Sequence, residues 1–167
     1  MPLIRDGEII ADTWRVLDEG AEIPGQGDVI LSLERLRNGA GQIAARAGRT
    51  GVAIENSADP GELEAHLAHL DLIALDFPAF TDGRAYSQAR RLRVHFGFAG
   101  ELRARGSVLA DQAGFLTRVG FDTFELAGGQ SLKVWNASAR SMTLAYQRGY
   151  DGGQATREAV TELPAPA

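Results

Sequence analysis

The sequence predicts an α/β domain of repeated βα units around a parallel sheet, preceded by a small N-terminal β hairpin or arm. Three observations carry this expectation. Short apolar runs recur at Val52–Glu55, Leu72–Phe77, Glu101–Arg105 and Phe121–Leu126. The stretches between and after them carry apolar residues three and four apart, the period of a helix packed on one side. Glycine, proline and aspartate punctuate the joins, where turns and helix ends need them.

The elements follow in order. Leu3 to Leu17 alternates short apolar pieces with Asp6-Gly7 and Ala11-Asp12, which predicts a hairpin or arm. Asp28 to Leu31 is a short strand, and Ser32 then caps a helical turn at Leu33 to Leu36. Asn38 to Thr50, rich in Gly, Ala and Arg, is helical only in part. After Val52–Glu55, Asp59 stands as N-cap, Pro60 at the first helical position and Glu62 where it closes a capping box. Leu63, Leu67 and Leu70 give that helix its apolar stripe. Beyond Leu72–Phe77, Asp82 caps a helix whose core face is Ala85, Ala89, Leu92 and Phe96, and Gly97 is its left-handed stop. After Glu101–Arg105, Val108, Gln112, Phe115 and Val119 mark the inner side of a helix ended by Gly120. Ser131 begins the last helix, with Leu132, Trp135, Ala139 and Met142 on one face.

Strand and helix in alternation imply parallel strands joined by crossovers, and two architectures fit: an open doubly wound sheet or a partial (βα) barrel. Residues 1–150 form one domain, with an N-terminal arm over 1–31 and a βα core over 51–148. The tail 151–167 has no periodicity and is expected to be mobile. The segment Glu101-Leu102-Arg103-Ala104-Arg105 departs from the unbroken apolar run of a strand covered on both faces. It is therefore expected at a sheet edge, or with its charged face lining a cleft.

Composition narrows the function. The chain has 167 residues, 44% of them hydrophobic and 23% charged, which is ordinary for one globular domain. A net charge of −5 without a basic block speaks against a nucleic-acid partner. No apolar run approaches a membrane span, and the N-terminus lacks the pattern of a signal peptide, so no membrane association and a cytoplasmic location are the default expectations. Cysteine is absent, which excludes a disulfide framework, a thiol redox centre and a cysteine nucleophile. Lys133 is the only lysine among 17 basic residues, so anions here must be met by arginine, a planar donor fork suited to oxyanions.

In parallel α/β folds ligands gather beyond the carboxyl ends of the strands, which here are Glu55, Asn56, Asp76, Arg105, Gly106 and Glu125. Asp76, closing a strongly apolar strand, is the candidate catalytic acid–base group; the plainer alternative is a structural pair with Arg105. Arg103, Arg105, Gly106 and Ser107 make a candidate oxyanion cradle. Arg84 opens a helix, where free N–H groups favour an anion, although Asp82 as N-cap competes for the same place. Tyr86, Arg90, Asp111, Gln112 and Glu125 are supporting candidates; the cluster Arg90, Arg91 and Arg93 otherwise forms a solvated helix face. His66 and His69 lack a third ligand, so no metal is expected, and no Gly-rich dinucleotide or Gly-Lys-Ser/Thr phosphate loop indicates a cofactor.

Several of these motifs together resemble a known family. Phe77-Pro78-Ala79-Phe80, Thr81-Asp82-Gly83-Arg84, Tyr86-Ser87-Gln88-Ala89-Arg90, Leu92-Arg93, Gly100-Glu101-Leu102-Arg103-Ala104, Asp111-Gln112 and Gly120-Phe121-Asp122-Thr123-Phe124 are similar to the signature of a bacterial family of unknown function. Its members are labelled as oxidoreductases of sulfite reduction, because their genes lie beside those of sulfite reductase. The resemblance is dense over a third of the chain. It implies a role in assimilatory sulfite or sulfate reduction, binding a small oxyanion or the reductase itself, or else a small enzyme of sulfur metabolism using Asp76 with Arg84 or Arg105. An acid commonly follows the family's glycine at Gly106; here the position is Ser107. The oxidoreductase label finds no redox group among the residues, so it implies a pathway association more directly than a reaction.

Overall fold

A computed structural model describes residues 1–140 and 149–150. Its centre is a curled, half-barrel sheet of eight strands: β1 Leu3–Arg5, β2 Glu8–Ile10, β3 Arg15–Val16, β4 Val29–Ser32, β5 Thr50–Ile54, β6 Leu72–Phe77, β7 Glu101–Gly106 and β8 Thr123–Glu125. The order across the sheet is β2-β1-β8-β7-β6-β5-β4-β3. Strands β3 to β8 run parallel, each beside the next in sequence, while β1 pairs antiparallel with both β2 and β8. The all-parallel expectation is thereby corrected to a mixed sheet. The N-terminal hairpin forms, and its first strand joins the main sheet.

The helices explain the curl. They are α1 Leu33–Asn38, α2 Ala40–Ala44, a 3-10 helix over Pro60–His69, α3 Arg84–Val94, α4 Ala113–Val119 and α5 Leu132–Ala139. Successive strand residues point to opposite faces. Along β6, Ile73, Leu75 and Phe77 enter one large core with Leu36, Leu63, Ala89, Leu92, Leu116 and Trp135 from the helices. Leu72 and Ala74 face the other way, into a small cluster with Ile30, Ala53 and Trp14. The helices therefore share one face, the outer one, as in a (βα) barrel rather than a doubly wound sheet.

The N-terminal segment covers the inner face. Its strands β1 and β3 lie toward opposite ends of the sheet, so residues 11–14 must cross between them. Trp14 packs near Gly51 and Leu72, and Asp12 holds the guanidinium of Arg103 through two hydrogen bonds of 2.7 and 3.1 Å. Strand β7 is consequently neither an edge nor an open charged wall. It pairs on both sides, and Arg103, only 1% exposed, is also bonded to Glu101 at 3.1 Å and lies 3.7 Å from Glu125. Glu101 completes the set through Arg5 at 2.5 Å and the Thr123 hydroxyl at 2.7 Å.

Other expectations shift locally. Asp59 caps the Pro60 helix by accepting from Gly61 N at 2.8 Å, but the helix is 3-10, and Glu62 pairs with Arg37 instead of closing a box. Gly83, not Asp82, is the N-cap of α3; Asp82 accepts from Arg84 N one turn-residue earlier. Phe115 is 55% exposed, because α4 begins only at Ala113 and buries Ala113 and Leu116. Arg93 leaves the expected solvated face. Its guanidinium bonds the carbonyls of Phe98, Gly100 and Gly120 and the Asp122 carboxylate, tying the end of α3 to the starts of β7 and β8. Gly97 and Gly120 do adopt the left-handed conformation at helix ends. Met142 and the tail from Asp151 lie outside the described residues. Among the described residues no helix is long and apolar enough to cross a membrane.

Removing the Arg103 side chain strands carboxylates from three chain segments around one buried point. Breaking such a buried pair typically costs about 3–5 kcal/mol. Arg103→Ala should lower the unfolding free energy by that order in urea denaturation, whereas Arg90→Ala, at an exposed position of α3, should change it by no more than about 0.5 kcal/mol. Equal effects would show that Arg103 is no keystone.

Candidate functional site

The parallel strands present their carboxyl ends on one rim of the half-barrel. On the inner side of that rim stand Asp76 and Arg105, direct partners in the β6–β7 register. Their ion pair is partly open to solvent, with side chains 30% and 28% exposed. Glu125 lies on the next strand, in the field of both Arg103 and Arg105. Burial pushes the Glu125 carboxyl up from the ordinary glutamate range; the two arginines pull it down and Asp12 raises it further, leaving it net upward. The inner face thus carries Arg5, Arg103 and Arg105 against Asp12, Asp76, Glu101 and Glu125. Glu125 stays raised because its burial outweighs the pull of the two arginines, so it holds its proton to higher pH than an exposed glutamate.

The remaining candidates gather elsewhere on the rim. Asp82 holds Arg84 bidentately at 3.0 and 2.7 Å. Arg84 depresses the Asp82 carboxyl far below the usual range, through its side chain and its backbone N–H, with a smaller contribution from Asn56. Tyr86 packs edge-on against Phe77 at 5.4 Å, and burial together with the charge of Asp111 raises its phenol. Gln112 bridges loops, accepting from Leu109 N at 3.0 Å and donating to Phe80 O at 3.1 Å. Ser107 Oγ donates to Pro78 O at 3.3 Å, and its backbone N–H to Phe77 O at 2.7 Å. The Gly106 φ of +94° makes that turn, where a Cβ would sit 2.6 Å from Phe77 O. Asp111 and Arg90 are exposed.

The structure therefore brings together Asp76 and Arg105, with Glu125 and Arg103 beside them on the inner face. It does not join Arg84, Asp82, Tyr86, Arg90, Asp111 and Gln112 to that group: among the described residues no hydrogen bond or ion pair links the two sets. Arg103 sits mid-strand under the N-terminal crossing, saturated by carboxylates, so the proposed cradle of Arg103, Arg105 and Ser107 does not assemble around one open point. Sequence reasoning missed Asp12, whose partner is 91 positions away and leaves no local signal. It also passed over Gln88, which donates to Glu55 O at 2.9 Å and Ala58 O at 2.8 Å; a polar residue on the apolar stripe of α3 was the available clue. Among the described residues no group of three or more His, Cys, Asp or Glu side chains is placed to hold a metal.

Glu125 gives a signed pH dependence. A carboxyl whose folded-state pKa is raised binds more protons folded than unfolded, so its contribution to stability is present below the unfolded value and lost as pH rises through the folded one. The Glu125→Gln variant lacks this loss. Its urea midpoint relative to the parent should climb as pH increases upward from the ordinary glutamate range, then level off. Parallel curves would remove the unfavourable charge from Glu125.

With this geometry in hand, comparison with known proteins gives one assignment. No curated protein matches the chain. The model of a bacterial protein family of unknown function, DUF934, matches residues 51–157, which takes in β5 from its second residue, β6 to β8 and both sets of rim residues. The chain belongs to this family.

Proposed function

We propose that the chain is an accessory protein of assimilatory sulfite or sulfate reduction, which binds the reductase or a small oxyanion. The observation that carries the pathway is the motif run from Phe77 to Glu125, whose spacing resembles a family labelled for sulfite reduction. An accessory role fits a chain without cysteine, which has no thiol of its own to cycle. Between the two binding modes, charge weighs toward the reductase for the inner rim. Its arginines are already matched by acids, and the paired carboxylates of Asp12, Glu101 and Asp76 repel an added anion. Deleting the gene should leave cells unable to grow with sulfate as sole sulfur source while cysteine restores growth. Normal growth on sulfate would end the pathway assignment.

A second reading has its own observation. Glu125, with its raised carboxyl, lies near the open Asp76–Arg105 pair, which is the arrangement of a proton donor beside an anion-holding cation. On this reading the chain is a small enzyme of sulfur metabolism, an oxidoreductase by family label, in which Asp76 works with Arg105; Arg84 would have to act from its separate place on the rim. Asp76→Asn keeps the shape and removes the base. Complementation of the deletion by this variant, at parental level and with an intact fold, supports the accessory role. Loss of nearly all complementation in a folded variant supports the enzyme.

A further inference from the structure

Two buried side chains at one place on the rim are incompletely bonded. Asn56 is 8% exposed and Gln88 5% exposed. Asn56 Nδ2 and Gln88 Oε1 are both buried without a hydrogen-bond partner. Buried polar atoms are normally paired, and each exception calls for a water or a ligand. Both residues line a cavity of about 310 Å³ between the loop after β5 and the first turns of α3, together with Ser57, Ser87, Arg84 and Arg91.

The polarity of the Gln88 amide is fixed. Gln88 Nε2 is held by the carbonyls of Glu55 and Ala58, so a flipped amide would set oxygen against two oxygens. Gln88 Oε1 is therefore an acceptor waiting for a donor. The Asn56 amide faces the Asp82 carboxylate closely enough to lower it, but its Nδ2 stands outside hydrogen-bond geometry with that acid or any other group. Its Nδ2 is a buried donor that a ligand oxygen can take in place of this loose contact with Asp82. The cationic groups at the cavity are only partly used: Arg84 spends Nε and Nη2 on Asp82, and Arg91 spends Nη1 on Asp59. A guanidinium has five N–H donors, so each keeps some for a ligand.

We infer that this cavity binds a phosphate group that retains a proton, either free phosphate or a small phosphomonoester. Its unprotonated oxygens accept from Asn56 Nδ2 and from the spare N–H groups of Arg84 and Arg91, and its remaining O–H donates to Gln88 Oε1. The acceptor supplies selectivity. Sulfate has the same shape but no proton near neutral pH, so it would set an oxygen lone pair against the amide oxygen. This inference stands on the cavity alone. Its failure leaves the sulfur-pathway reading untouched, and failure of that reading leaves the cavity.

The test is calorimetric titration of the full chain at pH 6 with inorganic phosphate, methyl phosphate and sulfate, repeated at pH 8. Saturable binding of inorganic phosphate, at least tenfold tighter than sulfate at both pH values, is expected, because the hydrogen phosphate dianion keeps an O–H at pH 8; methyl phosphate, whose dianion has none, should bind at pH 6 and weaken at pH 8. Methyl phosphate binding equally well at pH 6 assigns the site to monoesters, and its exclusion assigns it to free phosphate. Asn56→Ala should weaken phosphate at least tenfold with an unchanged circular dichroism spectrum; should that variant fail to fold, Arg91→Gln reads the same contact from the exposed side. No phosphate binding, equal binding of sulfate, or tight phosphate binding in the folded variants overturns the inference. So does a crystal grown in phosphate that shows only a water bridging Asn56 and Gln88.

Discussion

The buried guanidinium of Arg103 is the constraint on which the inner half of this molecule depends. A charge 1% exposed on a central strand is tolerable only if its donors are met, and the acids that meet it come from three places: Asp12 on the N-terminal crossing, Glu101 on the same strand and Glu125 on the neighbouring one. The requirement acts in both directions. Arg103 needs Asp12 to leave water, and Asp12 gives residues 11–14 a reason to cross the sheet along this line. Trp14 then covers Leu72 and Gly51 farther along the crossing. A full (βα) barrel fills its interior with layers of side chains from opposite strands. A half-barrel has no opposite strands, and here the N-terminal segment takes their place.

The outer face is governed by different physics. Helices α1 to α5 and the Pro60 helix bury aliphatic side chains and Trp135 in one continuous core, which holds no charged side chain among the described residues. Directional contacts appear only at its margins, where Arg93 gathers three carbonyls and Asp122 at the amino ends of the strands. Gln88 does the corresponding work at the carboxyl ends, bonding the loop after β5. The sheet thus separates a dry, interchangeable core from a polar inner face in which partner identity matters. Substitutions on the two sides should differ accordingly: volume sets the cost outside, and charge pairing sets it inside.

This division explains what could be read from the chain. Elements facing the outer core declared themselves through local period and punctuation. Leu72–Phe77 matches β6 to the residue, and Gly97 and Gly120 end their helices with positive φ. Where local pattern failed, a nonlocal contact had decided. Arg93 resembles its exposed neighbours Arg90 and Arg91, and only the fold places carbonyls within its reach. The alternation in Glu101–Arg105 suggested an edge or a cleft, because charged side chains in a central strand are rare; two of the partners that neutralise them, Asp12 for Arg103 and Arg5 for Glu101, are distant in sequence. Asp76 and Arg105 were legible as a pair because consecutive parallel strands put equivalent ends side by side. Their separation from Arg84 was not, since a loop's path over the rim leaves no periodic trace.

Charge balance then sets what each part of the rim can hold. The inner face sets Arg5, Arg103 and Arg105 against Asp12, Asp76, Glu101 and Glu125, and burial raises Glu125 among them. Such a surface suits a cation, a shared proton or a basic partner more than a free anion. On the α3 side, Arg84 and Arg91 are each countered by one acid, Asp82 and Asp59, and retain unused donors over two unbonded buried amides. Arginine at a strand end is therefore an incomplete indicator of anion affinity. What counts is the number of donors left after the protein's own acids are served: Arg103 is spent, whereas Arg105, bonded only through Nε, keeps donors as Arg84 and Arg91 do, and the cavity beside α3 differs in adding two unbonded buried amide atoms.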